Sequence, residues 1–439
     1  MTLSRQQLEA HWMPFTGNRQ FKDHPRLMAS AKGAYYTTAD GRQVFDGLSG
    51  LWTCGAGHAR EEITAAVSQQ LATLDYSPGF QYGHELSFQL ANKVIELTPA
   101  GLDYVFFTDS GSESVDTALK MARGYWRTLG KPGKSRFIGR VKGYHGVNYG
   151  GVGVGGIGFN RKLFGQTVEA DHIAATLLPE NRFGRGQPEI GAHLANEVED
   201  LILLHDASNI AAVIVEPLSG TAGVLPPPKG YLNRLREICD KHEILLIFDE
   251  VITGFGRMGA NTGAAAFGVT PDLMTLAKQI TNGAIPLGAV VAKPKIYQAF
   301  MDKGGPNYMV EFPHGYTYSA HPVACAAGIA ALGLLVNDNL VERVQELAPV
   351  FENAVHSLKG SPHVTDIRNY GLAAGISLEH YPGEPLRRPF EIGLKCLEKG
   401  FYVRWGADTL QLAPPFISTR EQIDALVNAV GEALAESVG

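Results

Sequence analysis

ILLIFDEV, residues Ile244–Val251, decides how this chain folds. An unbroken apolar run ends there in two acids, Asp249 and Glu250. A run that short, rich in branched residues, reads as a strand buried on both faces, and such strands belong to parallel sheets covered by helices. Just upstream, Asn233–His242 sets Leu235, Ile238 and Cys239 on one helical face. The same alternation recurs outward. Strands are expected at Tyr104–Thr108, Arg136–Val141, Ala211–Pro217 and Leu287–Ala292, with a helix over Glu113–Leu129. That helix gathers Val115, Ala118, Leu119, Ala122 and Trp126 on one side, carries Glu113 and Asp116 early and Arg123 and Arg127 late, and meets Gly130. The predicted class is α/β: a large domain whose mostly parallel sheet is flanked by helices.

Beyond about residue 315 the pattern changes. His321-Pro322 opens an uncharged helix, Val323–Val336. A polar amphipathic helix follows, then strands near Gly371–Leu378, Phe401–Arg404 and Thr409–Leu412, and a closing helix Glu421–Glu436. The first 50 residues are aromatic and turn-rich without a period, and are expected to drape over the rest. The predicted domains are a large one at 51–315 and a smaller α+β one from 1–50 and 316–439.

Composition removes several classes of function. The chain has 439 residues with 45% apolar and 19% charged, an ordinary globular balance. Its net charge of −6 (38 bases, 44 acids) argues against nucleic acid or an anionic membrane as partner. Cys54, Cys239, Cys325 and Cys396 lie far apart and form no C-x-x-C pair, which fits free thiols in a reducing compartment. The start, MTLSRQQLEAHWMPF, has no apolar signal core, and the longest uncharged apolar run, Val323–Val336, is too short to span a bilayer. A soluble, cytoplasmic protein is expected.

Familiar motifs fail in turn. Gly254–Gly259 and Gly151–Gly156 match G-x-G-x-x-G, but neither has strand, glycine turn and long helix in immediate succession, so a nicotinamide oxidoreductase is the remote alternative. Gly130–Ser135 has Thr128 where a phosphate loop needs its first glycine. His84-Glu85 and His242-Glu243 lack a second histidine at zinc spacing, and no metal site is expected. Ser110 and Ser112 lack the glycine of a hydrolase elbow.

Four features remain, each at the end of a strand or apolar run. Thr108–Glu113 joins a strand to a helix start, where glycine and serines can seat a phosphate, or simply cap the helix. Asp249 ends its strand, where ligands of open parallel sheets bind, or it is a solvated turn acid. Lys278 closes an apolar segment before the Asn282-Gly283 turn. Desolvation there would free its amine for a Schiff base, unless it snorkels to the surface. Gly143-Tyr144-His145-Gly146 follows another strand and offers a ring to stack on, or a packing tyrosine. Together they specify a phosphate seat, a ring platform, a carboxylate and an amine, the set that pyridoxal phosphate needs.

The stretches that carry these groups resemble those of the class III, fold-type I aminotransferases. They are SGSESVDTALKMAR (110–123), GYHG (143–146), VIVEPLSGTAGV (213–224), LLIFDEVITGFGR (245–257), LAKQITNGAIPLGA (276–289) and HGYTYSAHP (314–322). The flanks HWMPFTGNRQ (11–20), GLSGLWTCGAGH (47–58), LDYSPGFQYGH (74–84) and GFYVRWGADTLQLAPPF (400–416) are similar to the branch that moves ω-amino groups to pyruvate. The resemblance implies pyridoxal 5′-phosphate bound covalently by Lys278, which also shuttles the proton. Asp249 would pair with the pyridine nitrogen, Tyr144 and Val251 would pack the two ring faces, and Gly111 and Ser112 would hold the phosphate. Thr317 would reach the phosphate of a neighbouring subunit, making a homodimer obligatory and a tetramer an option. Glu216 would sit near the ring. Arg404 would fix a substrate carboxylate and swing away for an uncharged amine, and Trp52, Phe80, Tyr144 and Tyr82 would line the pocket. The implied reaction moves the amino group of β-alanine, another ω-amino acid or a primary amine to pyruvate, giving L-alanine. A 2-oxoglutarate-dependent transaminase or an aminomutase is the same-fold alternative. Trp405 stands where the family pattern has phenylalanine, and Gly150–Gly158 is unusually glycine-rich, two departures that bear on substrate preference.

Overall fold

A computed structural model describes residues 4–437. Near the N-terminus, β1 (Met28–Lys32), β2 (Tyr35–Thr38) and β3 (Gln43–Asp46) form antiparallel pairs. The central strands are β4 (Tyr104–Thr108), β5 (Arg136–Arg140), β6 (Ala170–Ile173), β7 (Ile210–Val215), β8 (Leu245–Asp249), β9 (Leu273–Leu276) and β10 (Gly288–Ala292). They make one seven-stranded sheet in the order β4-β10-β9-β8-β7-β5-β6. Only β10 runs against its neighbours, pairing antiparallel with both β4 and β9.

Burial on both faces explains the unbroken apolar runs of β7 and β8. Ile214, Leu245 and Ile247 pack on one face with Val115, Leu119, Ala122 and Trp126 of the helix Gly111–Thr128. Val213, Val215, Leu246 and Phe248 face the other way, toward Leu235 and Ile238 of the helix Tyr231–Lys241. Trp126 also satisfies its indole N–H on Ala211 O at 2.8 Å, tying the first helix to the sheet. The remaining strands, β11 (Val364–Tyr370), β12 (Ala373–Leu378), β13 (Phe401–Tyr402), β14 (Arg404–Gly406) and β15 (Thr409–Leu412), lie outside that sheet. Four of them form an antiparallel sheet, β11-β12-β15-β14. The uncharged helix Pro322–Asn337 is a largely buried core element, and among the described residues no single helix is long and apolar enough to cross a membrane.

Three expectations need correction. The first 50 residues do not merely drape: they build a sheet that β13 completes by pairing parallel with β3. Strands of four or five residues with mixed exposure carry too little alternation to be read as strands. The expected strand Phe401–Arg404 is broken at Val403, so that its first half joins the N-terminal sheet and its second half pairs with β15. Strands β6 and β9 were absent from the sequence reading, because β6 is short and polar (ADHI) and β9 merges into the apolar approach to Lys278.

Candidate active site

Strand order locates the site. β6 lies outside β5, whereas β7 returns to β5's other side, so the order reverses between β5 and β7. Beyond the carboxyl ends at such a reversal a crevice opens for ligands. Gly143–Gly146 follows β5, Glu216 follows β7, and Asp249 ends β8. Tyr144 N donates to Glu216 Oε1 at 3.0 Å, closing the floor of this crevice.

Asp249 is buried, and three groups hold its carboxylate. His145 Nδ1 stands 2.8 Å from Oδ2, and against a carboxylate that nitrogen must be the donor. Val251 N and Thr275 Oγ1 donate to Oδ1 at 3.2 and 3.3 Å. Glu216 takes a second bond from Ser219 Oγ at 3.0 Å, and Arg140 Nη2 ties Ser219 Oγ and Glu216 O together at 2.7 and 2.8 Å. Burial pushes the Glu216 carboxyl above its usual range, with nearby Asp249 adding to the shift.

Lys278 follows β9 with φ +53°, at the start of a tight turn that Asn282 and Gly283 close in the left-handed region. Its side chain is half-buried. Burial brings its amine down to about 8, Asp249 and Glu216 pulling it back up and Arg404 pressing it further down. Arg404, at the start of β14, is likewise pulled down by burial, with Tyr402 and Tyr144 opposing. The acids around Lys278 act through charge at a distance, not through a hydrogen bond. An amine, a guanidinium, two carboxylates and Tyr144 thus lie close enough to shift one another's titration.

The helix Gly111–Thr128 points its N-terminus at the same place. Ser110 caps it through a 3.2 Å bond from Glu113 N, and Glu113 Oε2 accepts from Asp109 N at 2.7 Å. The first two N–H groups, on Gly111 and Ser112, stay available for an anion. Gly111 backs onto Val251: a Cβ there would stand 2.9 Å from both Val251 methyls. Ser112 Oγ accepts from Val147 N at 3.1 Å, and Gly146, with φ +88°, passes so close that a Cβ would lie 2.5 Å from that oxygen.

The other expected residues stand further out. Trp52 is buried with φ +65°, packed with Leu218, Val224 and Ile252 under the Arg257 guanidinium, and its indole N–H has no partner. Phe80 and Tyr82 are 56% and 74% exposed. The segment carrying them packs on the one carrying Thr317: Phe80 abuts Gly315, and Tyr76 Oη donates to Thr317 O at 3.1 Å. Thr317 itself is exposed, and no hydrogen bond or ring contact among the described residues joins these three to Lys278 or Asp249. Trp405 faces away from Arg404, against Gly393 of the helix Arg387–Glu398. The glycine-rich run is a packing device: a Cβ at Gly151 would lie 2.1 Å from His145 O and one at Gly156 2.1 Å from Arg140 O. Sequence reading missed His145, Thr275, Arg140 and Ser219. His145 and Ser219 carried a signal, lying inside the GYHG and VIVEPLSGTAGV stretches.

The groups fit pyridoxal phosphate. Gly111 and Ser112 would hold its phosphate, Asp249 its ring nitrogen, Tyr144 and Val251 its faces, and the unpaired amine of Lys278 its aldehyde. A sheet of this topology with that donor set defines a fold-type I pyridoxal phosphate-dependent enzyme. The family profile "Aminotransferase class-III" matches residues 16–434, and the chain belongs to that family. It is 61% identical over 428 residues to the beta-alanine–pyruvate aminotransferase of Pseudomonas aeruginosa, covering 97% of this chain and 96% of that one. It is 60% identical to the omega-amino acid–pyruvate aminotransferase of Pseudomonas putida, covering 98% and 96%. Among solved structures, an amine transaminase from an uncultivated Pseudomonas species with PLP bound superposes with a TM-score of 0.91 at 36% identity, covering 98% and 99% of the two chains.

Proposed function

We propose that the enzyme takes the amino group of β-alanine, another ω-amino acid or a primary amine and passes it to pyruvate, releasing L-alanine, in two alternating half-reactions. The observation that carries this reading is that the Arg404 guanidinium lies near enough to press down the Lys278 amine and is itself flanked by Tyr144. A substrate carboxylate held there as a bidentate pair would put its amine end toward Lys278. The names of the two bacterial relatives at 60–61% identity support the same donor and acceptor.

Bound pyridoxal phosphate supplies an aldehyde for the amine nitrogen and a ring that accepts the electron pair left when the carbon–hydrogen bond breaks. Lys278 Nζ, with its lowered pKa, would take the proton from the carbon on one side of the amine nitrogen and return it to the carbon on the other side. Asp249, oriented by His145, would keep a proton on the pyridine nitrogen. Tyr144 and Val251 would bracket the ring, Gly111 and Ser112 would bind the phosphate, and Glu216 buttresses Tyr144 through its backbone N–H. Trp52, Phe80 and Tyr82 complete the substrate pocket. Phe80, Tyr82 and the exposed Thr317 do so across a homodimer interface, Thr317 serving the neighbour's phosphate. Residues 51–315 form the cofactor-binding domain, and the flanking segments form the smaller one. Four unpaired cysteines, three of them buried, support a cytoplasmic location.

The test is a visible absorbance scan of the purified enzyme, before and after β-alanine and then after pyruvate. A yellow band that bleaches with donor and returns with pyruvate is expected. Bleaching that only 2-oxoglutarate reverses would reassign the acceptor, and no band after added pyridoxal phosphate would refute the reading.

A further inference from the structure

We propose that Asp46 and His58 are positioning residues for Trp52, a buried carboxylate–imidazole clamp that holds the indole in a strained backbone conformation and so sets the enzyme's preference between aromatic and aliphatic amine donors. The inference rests on the reading of Trp52 as a wall of the substrate pocket. Within Ser49–Trp52, Ser49 has φ +52°, Gly50 +68° and Trp52 +65°, all in the left-handed region. Glycine takes that region freely. A serine and a tryptophan there store strain that their surroundings must offset.

The surroundings do so from two sides. Asp46, at the end of β3, is fully buried and accepts from Leu48 N at 3.1 Å and from Gly50 N. His58 Nε2 stands 2.7 Å from the same carboxylate and must be the donor. Burial pulls the imidazole down, but Asp46 and Cys54 raise it to about 9, so the clamp is an ion pair at neutral pH. On the other side Ser49 Oγ donates to Ala413 O at 2.7 Å and accepts from Arg257 Nη2 at 2.9 Å. His58 is itself a fixed post. Its backbone exchanges two bonds with Gly33, at 2.7 and 3.1 Å, and its ring lies against Tyr36 with centroids 4.5 Å apart.

What the clamp fixes lies beside the chemistry. Trp52 packs on Leu218 and Ile252, close neighbours in sequence of Glu216 and Asp249. Released, the segment would return Ser49 and Trp52 to ordinary φ and carry the indole off that packing. An aromatic amine is held by apolar wall contact and would feel the shift. β-Alanine is held through its carboxylate and would feel it far less.

The experiment follows the donor half-reaction of the holoenzyme by absorbance, with β-alanine and with 1-phenylethylamine, in His58→Leu, His58→Gln, Asp46→Asn, Trp52→Ala and the His58→Leu/Trp52→Ala pair. His58→Leu and Asp46→Asn should raise the apparent KM of phenylethylamine by about tenfold and that of β-alanine by less than about threefold. His58→Gln keeps a side-chain N–H for Asp46 and should recover most of the loss. On the Trp52→Ala background His58→Leu should not move the ratio of the two donors. A purely structural clamp would weaken both donors equally, or act alike with and without Trp52, and either result overturns the proposal. Should His58→Leu fold poorly, Asp46→Asn set against His58→Gln decides by the same ratio. If Trp52→Ala itself leaves the ratio unmoved, the pocket role of Trp52 fails, and the proposal with it. If Trp52→Ala moves the ratio and the clamp variants do not, the proposal alone fails. A wild-type enzyme that neither donor bleaches would refute the proposed reaction and this proposal together.

Discussion

Uptake of pyridoxal phosphate by the apoprotein should follow the titration of one desolvated amine. Lys278 is brought from the ordinary 10.5 to about 8, chiefly by burial. At pH 7.5 an amine with a pKa of 8 is roughly one quarter neutral, whereas one at 10.5 is neutral in about one molecule in a thousand. The site should therefore attack an aldehyde about two hundred times faster than its ordinary titration would allow. Stopped-flow absorbance of apoprotein mixed with the cofactor, from pH 6.5 to 10, reads this directly. A free lysine amine measured in parallel cancels the cofactor's own titration. The rate should climb about tenfold per pH unit and level off above about 8. Asp249→Asn removes a negative charge that favours the ammonium, so the midpoint should fall. Arg404→Ala removes a positive charge that opposes it, so the midpoint should rise. Between pH 8 and 10.5 the unfolded apoprotein holds a proton that the folded one has shed, so this lysine makes stability increase with pH across that window, by at most about 3 kcal/mol. A midpoint near 10.5, or charge variants that shift it in the opposite directions, would refute the argument.

Lys278→Ala should yield a folded protein that no longer turns over β-alanine; catalysis retained in a coupled alanine assay would remove the lysine from its role. His145→Ala takes a donor from the buried Asp249 carboxylate, so thermal unfolding should show a loss of about 1–3 kcal/mol and dialysis a faster loss of cofactor. If neither changes, His145 does not hold that acid in place. Gly151→Ala forces a Cβ to 2.1 Å from a backbone oxygen and should cost about 1–3 kcal/mol or more, while Gly158→Ala, with open space around it, should leave the melting curve where it was. Equal melting of the two variants would contradict the packing account of the glycine-rich run.

Local chemistry wrote much of this protein into its sequence. The central strands are legible because a strand buried on both faces must be apolar throughout, as β7 and β8 are. The helix Gly111–Thr128 is legible because its stripe and Ser110 cap are short-range features. Lys278 and Asp249 stood out as ionisable groups closing apolar runs, a placement that burial makes chemically consequential. Long-range pairing was not legible. Nothing near Phe401 indicates that it will hydrogen-bond beside Phe45 while Arg404, three residues on, joins a different sheet. The partners that orient the site, His145 on Asp249, Arg140 on Glu216 and Gln411 opposite Arg404, come from segments 76 or more residues apart or from a hairpin's register. The sequence by itself determined which residues are apolar enough to be buried and which few charged groups go in with them. Only the tertiary structure decided which of those groups meet, because a hydrogen bond depends on distance and angle in space, and neither is encoded by spacing along the chain.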